Sequence, residues 1–244
     1  MSVFAVVQAR MSSSRFPGKV LALLDGRPIV PFMFDRLARA DLVDEVVLAT
    51  SDHASDDPLA AAVTAAGFRV VRGPLDDVLG RYNKAATELG AGPGDAILRL
   101  TGDCPLIDPG VIDRLVALQA ETGADYASNI DPPTFPDGFD CEIFTYEALV
   151  RAVREATTAF EREHVTPWMR DSAAGLSRVN LTHETDVSHM RLTVDHPDDL
   201  AAVAQVVAHV GAAAPLAQIL ATLEAHPEIM AVNPHARNEG SSAP

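Results

Sequence analysis

A loop near the amino terminus of this 244-residue chain combines three cations with three hydroxyls. The apolar, strand-like run 3–7 leads into Q-A-R-M-S-S-S-R-F-P-G-K, which contains Arg10, Arg15 and Lys19. Guanidinium and ammonium groups neutralise phosphate oxygens, and serine hydroxyls and loop amides donate hydrogen bonds to them. The residue types predict a triphosphate-binding loop, and neither the G-x-x-x-x-G-K-[ST] nor the G-x-G-x-x-G spacing occurs.

The alternative is a basic loop that is merely solvated, and the charge balance favours the ligand. The net charge is −15, whereas residues 1–27 hold four cations and one anion. An acidic surface repels a polyanion, so we expect no nucleic-acid partner. A small anion held in a focused positive pocket fits this pattern.

Composition also bears on the cellular compartment. No run of about 18 apolar residues is present, so we expect no membrane span. Residues 1–4 lack the basic segment that precedes the apolar region of a signal peptide. Cys104 and Cys141 are the only cysteines and form neither a disulfide framework nor a four-ligand zinc pattern. We expect a cytoplasmic protein.

Short β-branched runs alternate with longer alanine- and leucine-rich stretches, which predicts an α/β fold with a mostly parallel sheet. Strands are predicted at 3–7, 45–50, 68–71, 96–101, 126–128, 141–144, 177–181 and 190–194. Helices are predicted at 29–40, 58–66, 78–89, 111–121, 146–156, 197–210 and 214–226. The polar tail 238–244 is expected to be disordered.

Two aspartates follow strand-like runs. Asp103 comes after 96–101, and Asp195 comes after 190–194. Ligands of parallel sheets bind at the carboxyl ends of the strands. Mg²⁺ takes oxygen ligands and often uses one or two carboxylates together with substrate phosphates. The pair predicts a magnesium site, and the alternative is that each aspartate only caps the next helix.

Three motifs of this chain resemble those of the cytidylyltransferases that activate acidic sugars. In chain order they are A-R-x-x-S-x-R-x-P-G-K at 9–19, G-D-x-P at 102–105 and V-D-x-P-x-D at 194–199. These cytidylyltransferases include the CMP-Kdo and CMP-sialic-acid-type synthetases. The segments 72–73, 77–82, 101–108, 135–140 and 162–167 resemble more closely the SpsF branch, named for spore-coat polysaccharide biosynthesis. The resemblance covers about residues 3–200.

The resemblance implies a Rossmann-like (GT-A-like) nucleotidyltransferase fold, a three-layer sandwich with a small β/α insertion at about 129–190 for dimerisation or sugar binding. We expect a single domain over 1–237 and a homodimer. The implied reaction transfers CMP from CTP to a sugar, with an acidic 2-keto sugar favoured, and releases pyrophosphate for glycan or polysaccharide biosynthesis.

The resemblance also implies roles for individual residues. Arg15, Lys19, Asp103 and Asp195 would be catalytic, and the two aspartates would hold Mg²⁺. The implied nucleotide-binding residues are Ala9, Arg10, Ser13, Arg15, Lys19, Arg72, Arg81, Gly102 and Asp103. The implied sugar-binding residues are Asp137, Asp140, Glu142, Arg162 and His164. An alternative for Arg81 is an i,i+4 ion pair with Asp77.

Two other functions stay open at this point. A nucleotide-sugar-dependent glycosyltransferase shares the sheet and uses Mg²⁺ or Mn²⁺, but the Asp-x-Asp motif expected of it is absent from this sequence. A non-catalytic nucleotide-binding homologue would also keep the fold. Pyrophosphate release with CTP separates all three.

Overall fold

The first strand, β1 (Val3–Gln8), is an interior strand of a seven-stranded sheet in a computed structural model, which describes residues 1–233, 235 and 237. Its apolar side chains are buried on both faces. Strands that are covered on both faces have continuous hydrophobic sequences, because helices pack on each side of a parallel sheet. Burial of β1 on both faces agrees with the α/β fold and mostly parallel sheet expected from the sequence.

The sheet is mostly parallel, with order β5-β4-β1-β6-β8-β7-β9, and β8 runs antiparallel to its two neighbours. A two-stranded hairpin, β2 and β3, lies apart from it. The strands after β1 are β2 (Leu23–Leu24), β3 (Arg27–Pro28), β4 (Glu45–Ser51), β5 (Arg69–Gly73), β6 (Ala96–Thr101), β7 (Tyr126–Ser128), β8 (Glu142–Thr145) and β9 (Arg178–Asn180).

Ten α-helices lie within the described residues, with short 3₁₀ turns at 19–21, 54–56 and 172–174. They are α1 (Ile29–Leu37), α2 (Asp57–Ala65), α3 (Val78–Glu88), α4 (Pro109–Thr122), α5 (Tyr146–Glu155), α6 (Ala159–His164), α7 (Pro167–Arg170), α8 (Pro197–Val210), α9 (Leu216–Ala225) and α10 (Glu228–Ala231). Their starts follow local rules. Asp108, for example, accepts a hydrogen bond from the Val111 amide at the start of α4.

The helices form one layer on each face of the sheet. Ala5 and Val7 of β1 belong to the cluster that includes the apolar side chains of α1, α2, α4, α8 and α9. Phe4 and Val6 belong to the second cluster, with α3, α5 and α7. The alternation along β1 follows from the two-residue period of a strand.

One predicted strand is wrong. Residues 190–194 are extended but do not join the sheet, and their β pairing is a single bridge between Arg191 and Asp137. The Asp137 amide donates to Met190 O at 2.9 Å, and the Leu192 amide donates to Asp137 O at 2.7 Å. The segment lies beside the loop 131–140, so its alternating apolar residues pack inward without a sheet neighbour.

The remaining differences are local. The hairpin β2–β3 and the short helices α6, α7 and α10 were not predicted. These elements are two to six residues long, too short for a hydrophobic period to be visible. The predicted disordered tail 238–244 lies outside the described residues. Among the described residues, no helix has the length and apolar character that a membrane span requires.

Candidate active site

The basic loop leaves the carboxyl end of β1 and lines one end of a cavity of about 860 Å³. The Met11 amide donates to Asp56 Oδ1 at 2.8 Å, and the Gly18 amide donates to Met11 O at 3.1 Å. Gly18 has φ 73°, a conformation that glycine adopts without strain, and it starts the 3₁₀ turn that contains Lys19. The loop is thus held by its backbone, while its basic and hydroxyl side chains face the cavity: Arg10, Ser12, Ser13, Ser14, Arg15 and Lys19.

Lys19 joins the two aspartates of the predicted metal site. Its Nζ donates to Asp103 Oδ2 at 2.9 Å and to Asp195 Oδ1 at 2.7 Å. Burial by itself lowers the pKa of Lys19, but the two carboxylates outweigh this effect and raise it. Burial raises the pKa of Asp103, but Lys19 and hydrogen bonds lower it to about 2. Lys19 and Asp103 are therefore both ionised at neutral pH.

Backbone contacts bring the two aspartates together. The Gly102 amide donates to Gln8 O at 2.8 Å, which continues the β1–β6 pairing to the residue before Asp103. The Val194 amide then donates to Asp103 O at 2.8 Å. Gly102 also lies close to the basic loop, since a Cβ built there would be 2.6 Å from the Cβ of Ala9. Asp195 is thus placed by this contact with the end of β6 and not by a strand of its own.

A buried arginine orders the carboxylates around Asp195. The Arg191 side chain is 4 % exposed and pairs with Asp137 at 2.9 Å, Asp195 at 3.1 Å and Asp199 at 2.9 Å. Asp199 also accepts from the amides of Asp195 and His196, both at 2.7 Å. Burial by itself lowers the pKa of Arg191, but the hydrogen bonds and the charge of Asp199 outweigh this effect. The pKa of Arg191 is therefore raised above its ordinary value. The network fixes the backbone that carries Asp195.

Three acidic residues of the predicted sugar site also line the cavity, and one of them, Asp137, shares Arg191 with Asp195. Glu142 accepts from the Tyr126 hydroxyl at 2.5 Å and pairs with Arg99. Burial alone raises the pKa of Glu142, but Arg99 and Tyr126 outweigh it and lower the pKa. Asp140 pairs with Arg237 at 2.5 Å, yet burial raises its pKa to about 6. Burial also raises the pKa of Asp137, the partner of Arg191.

The structure places most of the residues predicted for the site around this one cavity, and two of them elsewhere. Arg72 donates to Ser51 O at 2.8 Å and pairs with Asp57. Arg162 donates to Asp77 and to Val153 O. Neither Arg72 nor Arg162 is among the lining residues, which do include Ala9, Arg10, Ser13, Arg15, Lys19, Arg81, Gly102, Asp103, Asp137, Asp140, Glu142, His164 and Asp195.

Arg81 lines the cavity without pairing to Asp77. Its Nη1 donates to Pro74 O at 2.6 Å and to Leu75 O at 2.8 Å. Asp77 accepts instead from the Gly80 amide and from Arg162. Burial lowers the pKa of Arg81. The i,i+4 pairing considered from the sequence is therefore replaced by hydrogen bonds to backbone carbonyls.

Sequence reasoning missed four arginines that line the cavity: Arg99, Arg170, Arg191 and Arg237. Arg99 and Arg191 each lie in a run that ends in one of the two aspartates, R-L-T-G-D and R-L-T-V-D, and this repeated pattern is a signal that could have identified them. Arg170 and Arg237 lie outside the recognised motifs. Their positions follow only from the packing of α7 and of the chain after α10.

The donor set around Lys19 fits a divalent cation. No group of three or more His, Cys, Asp or Glu that could hold a metal ion occurs among the residues the structure describes. Asp103 and Asp195 already converge on one cation, the Lys19 ammonium. Two hard carboxylate ligands leave room for phosphate oxygens and waters, as Mg²⁺ and similar ions require.

Comparison with known proteins agrees with this geometry. A family model described as "Cytidylyltransferase" matches residues 4–220. The spore coat polysaccharide biosynthesis protein SpsF of Bacillus subtilis is 33% identical over 201 residues, which are 79% of this chain and 81% of that protein. The 3-deoxy-manno-octulosonate cytidylyltransferase of Geobacter sulfurreducens is 42% identical over 126 residues, 51% of this chain and 48% of that protein.

A solved structure extends the similarity to the whole chain. A cytidylyltransferase from Leptospira borgpetersenii superposes with a TM-score of 0.89 at 29% sequence identity, and the match covers 100% of both chains. The overall arrangement of sheet and helices is therefore shared with that protein.

Proposed function

Because the chain belongs to the cytidylyltransferase family, we propose that it transfers CMP from CTP to a hydroxyl of an acidic 2-keto sugar and releases pyrophosphate. One observation carries the proposal: Lys19 Nζ lies between the carboxylates of Asp103 and Asp195, at the end of a cavity lined by the basic loop. This is a site for a triphosphate and its metal ion.

The basic loop is suited to bind the triphosphate. Arg10, Arg15 and Lys19 all line the same end of the cavity, as do three serines. Arg15 also pairs with Asp195 at 2.8 Å, so its guanidinium lies beside the proposed metal ligands. Nucleotidyl transfer depends mainly on positioning and on neutralising charge at phosphorus. The loop supplies fixed positive charge for both the bound and the leaving phosphates.

Asp103 and Asp195 are the residues that would hold the metal ion, which we propose is Mg²⁺. When bound, Mg²⁺ neutralises phosphate charge and orients the triphosphate for in-line attack. Lys19 would then be released from the carboxylates and become available to phosphate oxygens. Arg191 would keep Asp195 oriented throughout, because its remaining contacts to Asp137 and Asp199 do not involve the metal site.

The acceptor would lie against the part of the cavity wall formed by Asp137, Asp140 and Glu142. The acidic 2-keto class is proposed because the relative from Geobacter sulfurreducens is named for 3-deoxy-manno-octulosonate. The similarity to SpsF supports a role in polysaccharide biosynthesis.

We also propose the wider organisation expected from the sequence: one nucleotidyltransferase domain over 1–237 with an insertion at about 129–190, a homodimer, and a cytoplasmic location. The two cysteines are free and buried, which is consistent with a reducing compartment. Sedimentation of the purified chain tests the dimer directly.

Pyrophosphate release tests the proposed reaction. Purified protein is incubated with CTP, Mg²⁺ and 3-deoxy-manno-octulosonate or N-acetylneuraminate, and ATP, GTP and UTP replace CTP in parallel reactions. We expect release that requires CTP, the metal and an acidic sugar together. Turnover with a nucleotide sugar and no free CTP would establish a glycosyltransferase instead. Nucleotide binding without release from any acceptor would indicate a non-catalytic homologue.

A further inference from the structure

Seven arginines line the cavity, and six of them are engaged by other groups of the protein. The engaged arginines hold carboxylates or backbone carbonyls: Arg10 with Glu163, Arg15 with Asp195, Arg81 with the carbonyls of Pro74 and Leu75, Arg99 with Glu142, Arg191 with Asp137, Asp195 and Asp199, and Arg237 with Asp140.

Arg170 is the exception within the described part of the chain. Its buried Nε has no hydrogen-bond partner. No hydrogen bond or ion pair of the rest of its guanidinium is found among the described residues, although the residue lines the cavity. Guanidinium groups carry five donors and are costly to leave unpaired near a protein interior. An arginine side chain that lines a cavity with unpaired donors is available to bind a ligand.

Nearby carboxylates interact with the Arg170 charge but are hydrogen-bonded to other groups, and Arg170 is one of the charges that lower the pKa of Glu142. Glu142 is the neighbouring carboxylate, and it is already satisfied by Arg99 and by the Tyr126 hydroxyl. Asp140 is similarly satisfied by Arg237. Arg170 therefore lines the cavity as a cation whose guanidinium makes no hydrogen bond or ion pair of its own among the described residues.

The backbone of Arg170 is anchored on both sides. Its amide donates to Thr166 O at 3.0 Å, and its carbonyl accepts from the Arg178 side chain. Met169, the preceding residue, is fully buried. The backbone that carries the Arg170 side chain is therefore held in place, and the residue lines the cavity.

We propose that Arg170 binds the carboxylate of the sugar acceptor and so selects acidic over neutral sugars. This inference rests on the proposed function, which places the acceptor against the cavity wall formed by Asp137, Asp140 and Glu142. A guanidinium with unpaired donors can form a bidentate pair with a monoanionic carboxylate. A dianionic phosphate would face the carboxylates of Asp137, Asp140 and Glu142 with one unpaired cation to offset them.

Acceptor binding without turnover tests Arg170 separately from the reaction. The protein is first saturated with Mg²⁺ and the α,β-methylene analogue of CTP, which cannot release pyrophosphate. Calorimetric titration then compares 3-deoxy-manno-octulosonate and N-acetylneuraminate with their neutral methyl esters. We expect the wild type to bind at least one acid about tenfold or more tightly than its ester, and Arg170→Gln to bind the two equally.

Two further variants keep the result interpretable. Arg170→Lys retains the charge without the planar fork and should keep part of the preference for the acid. Arg154→Gln removes an arginine that is 70 % exposed on α5 and pairs with Glu155, and it should behave like the wild type. Thermal unfolding verifies folding, which Arg170→Gln should not impair, because the Arg170 guanidinium makes no hydrogen bond or ion pair among the described residues.

The two proposals fail in different ways. Unchanged acid binding in Arg170→Gln, equal binding of acid and ester by the wild type, or no binding of either acid would overturn the role of Arg170, even if pyrophosphate release is observed. Arg170-dependent acid binding in a protein that never releases pyrophosphate would support Arg170 and overturn the proposed reaction.

Discussion

Asp103 and Asp195, far apart in the chain, accept hydrogen bonds from the same donor, Lys19 Nζ, at 2.9 and 2.7 Å. A backbone hydrogen bond from Val194 to Asp103 O brings the two segments together. The two carboxylates therefore share the Lys19 ammonium, while Arg15 and Arg191 also pair with Asp195, and the pair is suited to a divalent cation.

Replacing either aspartate with asparagine should abolish most Mg²⁺-dependent turnover. Asn keeps the shape and an acceptor oxygen for Lys19 but removes the negative charge that a metal requires. We expect pyrophosphate release to fall by at least about a hundredfold in Asp103→Asn and Asp195→Asn. The rate is measured as a function of Mg²⁺ concentration.

The matched control is Asp35→Asn, which alters an exposed carboxylate paired with Arg27 on another face. It should keep normal turnover, and all three variants should unfold at temperatures close to that of the wild type. Normal turnover in Asp103→Asn or Asp195→Asn would refute the metal assignment.

Lys19→Met should weaken CTP binding, and Mg²⁺ should stabilise the folded state of this variant against unfolding. The substitution removes a phosphate-binding cation and leaves two carboxylates facing each other, which should lower the free energy of unfolding by about 1–3 kcal/mol without metal. Binding of a divalent ion to the native state then restores stability by mass action.

Thermal unfolding with and without MgCl₂ measures this effect. The Mg²⁺-induced rise in the unfolding midpoint should be larger in Lys19→Met than in the wild type. If both proteins respond equally, Lys19 does not compete with a cation for the two carboxylates.

Gly138→Ala should disturb the active site indirectly, by displacing the backbone that leads to Asp195. Gly138 has φ 104°, and a Cβ there would lie 2.6 Å from the Leu192 carbonyl carbon and from the Thr193 nitrogen. The substitution must displace the segment that leads to Asp195. We expect the free energy of unfolding to fall by about 2 kcal/mol or more, together with a loss of turnover.

Gly92→Ala provides the comparison, because nothing lies within 4 Å of a Cβ built there. Chemical denaturation should show little change in this variant. Equal stability of the two alanine variants would contradict the close approach of the loop and the segment 190–194.

Asp140 should make stability depend on pH in a defined direction. Burial raises the pKa of this carboxyl in the folded protein to about 6, whereas its ordinary value is 3.8. The folded state therefore holds the proton more tightly, and this contribution is present below pH 4 and lost as the pH rises through about 6.

The free energy of unfolding of the wild type, relative to that of Asp140→Asn, should thus decline by about 1–2 kcal/mol between pH 4 and 7. This decline is smaller than the full pKa shift implies, because the Asp140 side chain is 30 % exposed and solvent screens its charge. Denaturant titrations at several pH values measure it. A difference that rises with pH over this range would mean that Arg237 lowers the pKa of Asp140 more than burial raises it.

The sheet and its main helices could be predicted because their signals are local. The apolar run of β1 and the alternating helices up to α4 follow from hydrophobic patterning, and the strand bounds agree to within two residues. The segment 190–194 shows the limit of this reasoning. It has the pattern of a strand, but whether such a segment pairs with the sheet or with a loop depends on neighbours that are distant in the chain.

The sequence by itself predicted the chemistry of the basic loop, because the cations and hydroxyls of 10–19 lie close together in the chain and their types favour an anion ligand. Only the tertiary structure decided which charges are neutralised. Lys19 pairs with Asp103 and Asp195, Arg237 pairs with Asp140, and the guanidinium of Arg170 makes no hydrogen bond or ion pair among the described residues. The physical reason is that ion pairing falls off within a few ångströms, so it depends on the packing of segments that the linear sequence leaves far apart.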